Sequence, residues 1–305
     1  MYETRITQRI ENGLEIQTLE NHSLRVDIIP AMGGKIASIF NKKCDKEFLW
    51  QNSTLDLRVN EPGNSYDHNF WGGVDELLPN DIPEEIDGKT YPDHGELWTS
   101  RLEYAIAENA MSVYGLLPIS GLYYKKTVSL EANSSKIKLE YNIINQSGER
   151  RRFLWKFHAA LRIAKGDRLI TGSRKARIVN IEASRFTETD EFLWPKIEGT
   201  DASLVPEKNG TMDFFYLYDS PVGEMTLLTE REKYRFSYHY DRKVFPYQWY
   251  FASYGQFRNH YTAILEPASA MPVQVNIAAD QCQCSVLQSG EEINTLVEIY
   301  AGENS

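Results

Sequence analysis

The chain predicts an all-β fold, a large antiparallel sandwich. Three observations carry the expectation. Apolar residues alternate with polar ones through most of the sequence. No helical period is sustained for more than a turn or so. No long Gly/Ser/Pro linker divides the 305 residues, so residues 1–305 are expected to form one domain.

The strands follow in order. Leu24, Val26 and Ile28 alternate with Arg25 and Asp27. Ile29-Pro30-Ala31-Met32-Gly33-Gly34 is a turn, and Lys35 to Phe40 is the returning strand. Asn52 to Lys89 holds seven Gly or Pro residues, Pro62 and Gly72 among them, and is expected to be a set of long loops, which tend to carry function. Tyr124, Lys126, Val128 and Leu130 share a face. Glu131 to Ser135 is a turn, and Ile137, Leu139, Tyr141 and Ile143 form the next strand. A turn at Asn145–Gly148 then leads into a further strand, as an antiparallel meander. Later strands are expected at Met225 to Leu228, Arg235 to Tyr240, Trp249 to Ser253, Tyr261 to Glu266, Val273 to Ile277 and Thr295 to Tyr300.

Composition narrows the function. Hydrophobic content of 42% and charged content of 25% suit a globular protein. A net charge of −10 disfavours nucleic acid as a partner, and Arg150-Arg151-Arg152 reads as a solvated turn. The 12% aromatic content favours strands, and flat aromatic faces also line sugar clefts. Cys44, Cys282 and Cys284 form no disulfide framework, and Cys282 and Cys284 lack the companions a metal site needs. Free thiols, no apolar leader and no 18-residue apolar run point to a cytoplasmic protein that does not meet a membrane. There is no phosphate-binding glycine loop, nucleophile elbow or zinc-protease motif. No metal is expected, and the chain is expected to be a monomer or homodimer.

The strand from Phe153 to Ile163 is the most informative. Phe153, Trp155, Phe157, Ala159, Leu161 and Ile163 take one face. Leu154, Lys156, His158, Ala160 and Arg162 take the other. An imidazole thus sits beside a cation on the face opposite an aromatic core. Lys156 requires solvent or an anion there, so that face is expected to be wet. His94 lies in Tyr91-Pro92-Asp93-His94-Gly95-Glu96-Leu97-Trp98, at a junction of turn and strand, where it serves a ligand or merely bonds its own loop. Glu266 ends an apolar strand before Pro267, which ends ladder bonding nearby and lets the carboxylate point into a cleft. Trp71, Asp75, Glu76, Trp98, Asp213, Gln248 and Trp249 are further polar or aromatic candidates. A carboxylate and an imidazole are the minimum equipment for moving protons on and off a substrate.

Taken together, five segments resemble the aldose 1-epimerase (mutarotase) family and its galactose-mutarotase-like relatives. Gly33-Gly34-Lys35-Ile36 is similar to the family's early Gly-Gly-[Lys/Arg]-Ile strand. Trp71-Gly72-Gly73-Val74-Asp75-Glu76-Leu77-Leu78-Pro79-Asn80 looks like the Gly-Gly-Trp-x-Glu-x-Phe-Pro-Asn segment of a less studied branch, and His94-Gly95 resembles a His-Gly motif. Trp155-Lys156-Phe157-His158 and Leu265-Glu266-Pro267 resemble the strands bearing the catalytic histidine and glutamate. The resemblance implies a β-supersandwich, no cofactor and a small carbohydrate as ligand. It implies Glu266 as general base and His158, with a pKa near the ordinary about 6.5, as general acid. His94 would hold the sugar near its ring oxygen. Trp71, Asp75, Glu76, Trp98, Lys156, Asp213 and Gln248 complete the expected substrate-binding set.

Departures also stand in the sequence. The Asn-x-Ile-Gly-Arg segment of galactose mutarotases is replaced by Trp-Gly-Gly-Val-Asp-Glu, so the sugar-clamping arginine has no evident counterpart. Ala159-Ala160-Leu161 stands where Tyr-Phe-Asn is usual. The same fold also serves non-catalytic sugar binders, lyases and hydrolases.

Overall fold

The computed structural model describes residues 4–187 and 191–304. Among these, two large antiparallel sheets stack face to face, of twelve and eight strands. The alternation expected from the sequence builds the interface between them. Ile28, Ile36, Val74, Phe157 and Leu265 of the larger sheet meet Met111, Val128, Leu139, Tyr238 and Val297 of the smaller, all buried in one cluster. Burial of such side chains contributes about 1.5–3 kcal/mol each.

The centre of the larger sheet positions the site. Its strands run in the order Val74–Leu77, Lys156–Arg162, Tyr261–Ala268, Tyr247–Tyr254 and Thr211–Tyr218. Phe153, Trp155, Phe157, Ala159 and Leu161 all lie in the intersheet core, the face the alternation assigns them.

Several expectations are corrected. The meander breaks after Lys136–Asn145: this strand pairs with Leu122–Leu130 and Glu292–Glu303 in the smaller sheet, whereas Lys156–Arg162 crosses to the larger one. Val74–Leu77, inside the expected loop region, is a central strand. Val275–Asp280 is a short helix rather than a strand, packing Val275 and Ala278 into a satellite core. With only two inward residues, that segment's alternation is too short to tell one period from the other. The strand bearing Glu266 does not stop before Pro267 but runs on to Ala268. The proline acts on one side alone. Opposite Tyr247–Tyr254 the register is continuous, whereas opposite Lys156–Arg162 it passes over Phe157 and His158, where Pro267 and Glu266 stand.

Candidate active site

Pairing lays a row of side chains across the outer face of the larger sheet. Asp75 pairs with His158, Glu266 pairs with Trp249, and Trp249 pairs with Tyr216. His158 and Glu266 are neighbours where the ladder is interrupted. A second row, two residues along, is apolar: Ala160, Ile264, Phe251 and Phe214. Because side chains alternate with a period of two, both rows face away from the intersheet core.

Loops close the row into a recess of about 160 Å³. Its wall is Tyr66, Phe70, Phe214, Phe251 and Phe257, and its polar groups are Asp67, Asp81, His94, Lys156, His158 and Glu266. A flat apolar wall facing convergent polar groups is suited to a small ring bearing hydroxyls.

His94 reaches this recess from a strained turn. Its φ is 58° and that of Gly95 is 77°. A side chain at Gly95 would lie 2.3 Å from the carbonyl oxygen of Leu78, so only glycine fits there. The His94 ring stacks on Tyr66 with centroids 4.2 Å apart, and its Nδ1 lies 2.8 Å from Asp93 Oδ1. His94 thus bonds its own loop and also lines the recess. The loop is anchored by Glu96, whose carboxylate accepts the backbone N–H groups of Ile119 and Ser120 at 2.7 and 2.9 Å.

Behind His158 lies a relay. Lys35 Nζ donates to Asp75 Oδ2 at 2.6 Å, and the Tyr66 hydroxyl donates to the same oxygen at 2.8 Å. A carboxylate accepts only, so the Tyr66 oxygen is left to accept from His158 Nδ1–H, 3.1 Å away. That fixes the tautomer, with Nε2 the unprotonated nitrogen of the neutral ring. Burial holds the His158 pKa well below the usual histidine value, and the charges of Lys156, His94 and Lys35 push the same way. The expectation of a freely exchanging imidazolium is thus corrected: the resting ring is neutral.

Lys156 is 3% exposed, so the expected wet face is corrected too. The lysine finds anions, not solvent. Its ammonium lies 2.7 Å from Asp81 Oδ1 and 2.5 Å from Glu266 Oε2, and 4.3 Å above the Trp249 ring. Both contacts are short, buried ion pairs. Two carboxylates share one cation, and they fare differently. Burial would raise Asp81, but Lys156 and His94 outweigh it and hold it low. Burial raises Glu266, Lys156 only partly offsets it and Asp81 reinforces it, which leaves the carboxyl at about 7.

The remaining expected residues divide by parity. Glu76, one residue from Asp75, points into the intersheet core, where its carboxylate accepts from Lys126 Nζ at 2.9 and 3.0 Å and from the Tyr141 hydroxyl at 2.6 Å. Asp213 and Gln248 also take the core face, opposite Ala252 and Pro267. Asp213 pairs with Arg185 at 2.8 Å, and Gln248 Nε2 donates to the Tyr240 hydroxyl at 2.5 Å. These three are corrected as ligand contacts, because one step along a strand reverses the face. Trp98 supports the site from behind, its ring edge against Tyr66 and its Nε1 donating to Asp93 O at 3.1 Å. Trp71 lines a different cavity, with Arg58 and Asn69. Tyr66 and Asp81 were not among the candidates. Asp81 directly follows the Pro79-Asn80 that ends the quoted motif, and that was its one available signal.

No membrane-length apolar helix and no group of three metal-binding side chains occurs among the described residues. No protein-family model and no curated protein matches the chain. Solved structures do. A galactose mutarotase-like protein from Clostridium acetobutylicum superposes with a TM-score of 0.73 at 15% identity, covering 99% of each chain. The fold is galactose mutarotase-like. A Klebsiella pneumoniae protein provisionally assigned as an aldose 1-epimerase gives a TM-score of 0.74 at 14% identity, over 97% of this chain and 83% of its own. A galactose mutarotase-like protein from Lactobacillus casei gives 0.65 at 18%, over 94% and 99%. At such identities the mutarotase-like scaffold is shared, and the chemistry rests on the side chains in the recess.

Proposed function

We propose that the chain interconverts the anomers of a monosaccharide by acid/base ring opening. The observation that carries this reading is the adjacency of Glu266 and His158 on neighbouring strands, facing one recess with an aromatic wall. Glu266 takes the proton of the anomeric hydroxyl, and His158 delivers one from Nε2 to the ring oxygen. Rotation and reclosure with the roles exchanged give the other anomer.

The proton count fits a resting site near neutral pH. Base and acid need Glu266 ionised and His158 protonated. The resting pair, with a neutral imidazole and Glu266 poised at about 7, reaches that state by moving one proton from Glu266 to His158. A sugar touching both groups supplies the path. A general acid or base of this kind contributes about 10² to 10⁴ in rate.

Exchange NMR on a panel of aldoses tests the reading. Wild type is expected to exchange at least one sugar faster than Glu266→Gln and His158→Ala do. Equal rates on every sugar would sink it. A second reading, sugar binding without turnover, is favoured by one observation: Glu266 is 1% exposed and gripped by Lys156. Binding that Glu266→Gln leaves unchanged, with no exchange, would support that reading.

A further inference from the structure

Lys156 and Asp81 hold more charge chemistry than either proton-transfer step uses. Lys156 lies on a central strand, paired between Leu77 and Ala268. Asp81 sits on the loop after Val74–Leu77, tied through its backbone carbonyl to His94 N at 2.6 Å. Its carboxylate therefore approaches the ammonium from the loop side while Glu266 approaches from the sheet.

We propose that Lys156 and Asp81 are positioning residues that poise Glu266: Asp81 takes a share of the one ammonium that would otherwise hold Glu266 as a permanent carboxylate. The inference deepens the acid/base reading of the site and rests on it for its catalytic meaning. A buried carboxylate alone with a lysine at 2.5 Å would be a spent ion pair, a poor base at any pH. With no lysine it would stay protonated in that apolar setting. Competition between two carboxylates for one cation lets Glu266 both accept and release a proton near neutral pH. Other charged or titratable groups about Glu266 are His158 on the adjacent strand, His94 and Tyr66 from the loops, Tyr216 from Thr211–Tyr218 and Tyr238 from the opposite sheet. Asp67 lines the same recess, and His94 Nε2 lies 3.7 Å from Asp81 Oδ1 and also lowers Glu266, but Lys156 is the cation at 2.7 and 2.5 Å from the two carboxylates.

The test uses paired variants with opposite expected signs. In the full chain, Asp81→Asn returns the whole ammonium to Glu266, so the alkaline limb of the pH profile for anomer exchange, where the one proton shared by Glu266 and His158 is lost, moves to lower pH. Lys156→Met leaves the carboxyls unpaired and moves it higher. A displacement of one pH unit changes the protonated fraction on that limb about tenfold. Lys156→Arg keeps the cation and should retain the wild-type midpoint, which also guards against a folding defect in the methionine variant. The same midpoints are read without turnover by difference infrared spectroscopy of the carboxyl band that Glu266→Gln abolishes. If no sugar exchanges but the infrared midpoints still move in opposite directions, the poise stands and the epimerase reading falls. Midpoints that move together, or stay still, in both variants overturn the poise.

Discussion

Two buried lysines, one on each side of the larger sheet, show how similar parts serve different ends. Lys126 is fully buried between the sheets and has one carboxylate, Glu76, as its ionic partner. Its three donors are all spent, on both Glu76 oxygens and on Gly34 O at 2.7 Å. Lys156 is almost as buried but is shared between two carboxylates, Asp81 and Glu266. A balanced pair has no reason to exchange protons. An oversupplied one has, because the second carboxylate costs free energy for as long as it stays charged.

The largest expected effect tests whether the outer site is the reactive one. Glu266→Gln should lower anomer exchange by about 10² to 10⁴, read by NMR line shape or saturation transfer. Glu76→Gln should leave exchange per folded molecule within a few-fold of wild type, and a loss from Glu76→Gln as large as that from Glu266→Gln would erase the distinction.

Stability should divide the other way. Lys126→Met strands Glu76 in the core, at a cost of about 3–5 kcal/mol, measured as a shift of the denaturation midpoint at unchanged m-value. Glu266→Gln removes a surplus carboxylate and should not destabilise at pH 8.

The pH dependence sharpens this. The Glu266 pKa is raised in the folded chain, to about 7 from the ordinary 4.5. Its contribution to stability is therefore complete below about pH 4.5 and is lost as pH rises through about 7. Glu266→Gln escapes that loss. The stability of Glu266→Gln relative to wild type should rise between pH 5 and pH 8, by at most about 3 kcal/mol. A flat difference would show that Lys156 holds Glu266 as tightly as Lys126 holds Glu76.

The smallest effect concerns the relay. Tyr66→Phe removes the hydroxyl between His158 and Asp75, worth about 0.5–1.5 kcal/mol for a neutral bond. Exchange should fall by up to about tenfold, with binding of the sugar less affected. No change at all would mean that the His158 tautomer is set elsewhere.

Much of this was legible in the chain. Alternation from Phe153 to Ile163 put the aromatic residues on the core face and Lys156 with His158 on the other, and the strand pairing agrees. His94 and Glu266 stood out by their settings, and the structure brings both to the recess. Parity across separate strands was not legible. Asp75 and Glu76 are adjacent and equally acidic, and which of them faces out depends on the pairing with His158. Asp213 and Gln248 failed for the same reason. Their neighbours Phe214 and Trp249 hold the outward positions.

By itself, then, the sequence determined the β architecture and the two-faced histidine strand, because a period of two is a local property of the backbone. Tertiary structure decided what each polar residue meets. Tyr66 and Asp81 come from irregular loops with no period to read. That Lys156 is shared between two carboxylates rests on segments about 75 and 110 residues away along the chain. Charge balance in a buried site is a sum over everything packed around it, and that sum exists only once the strands and loops have closed.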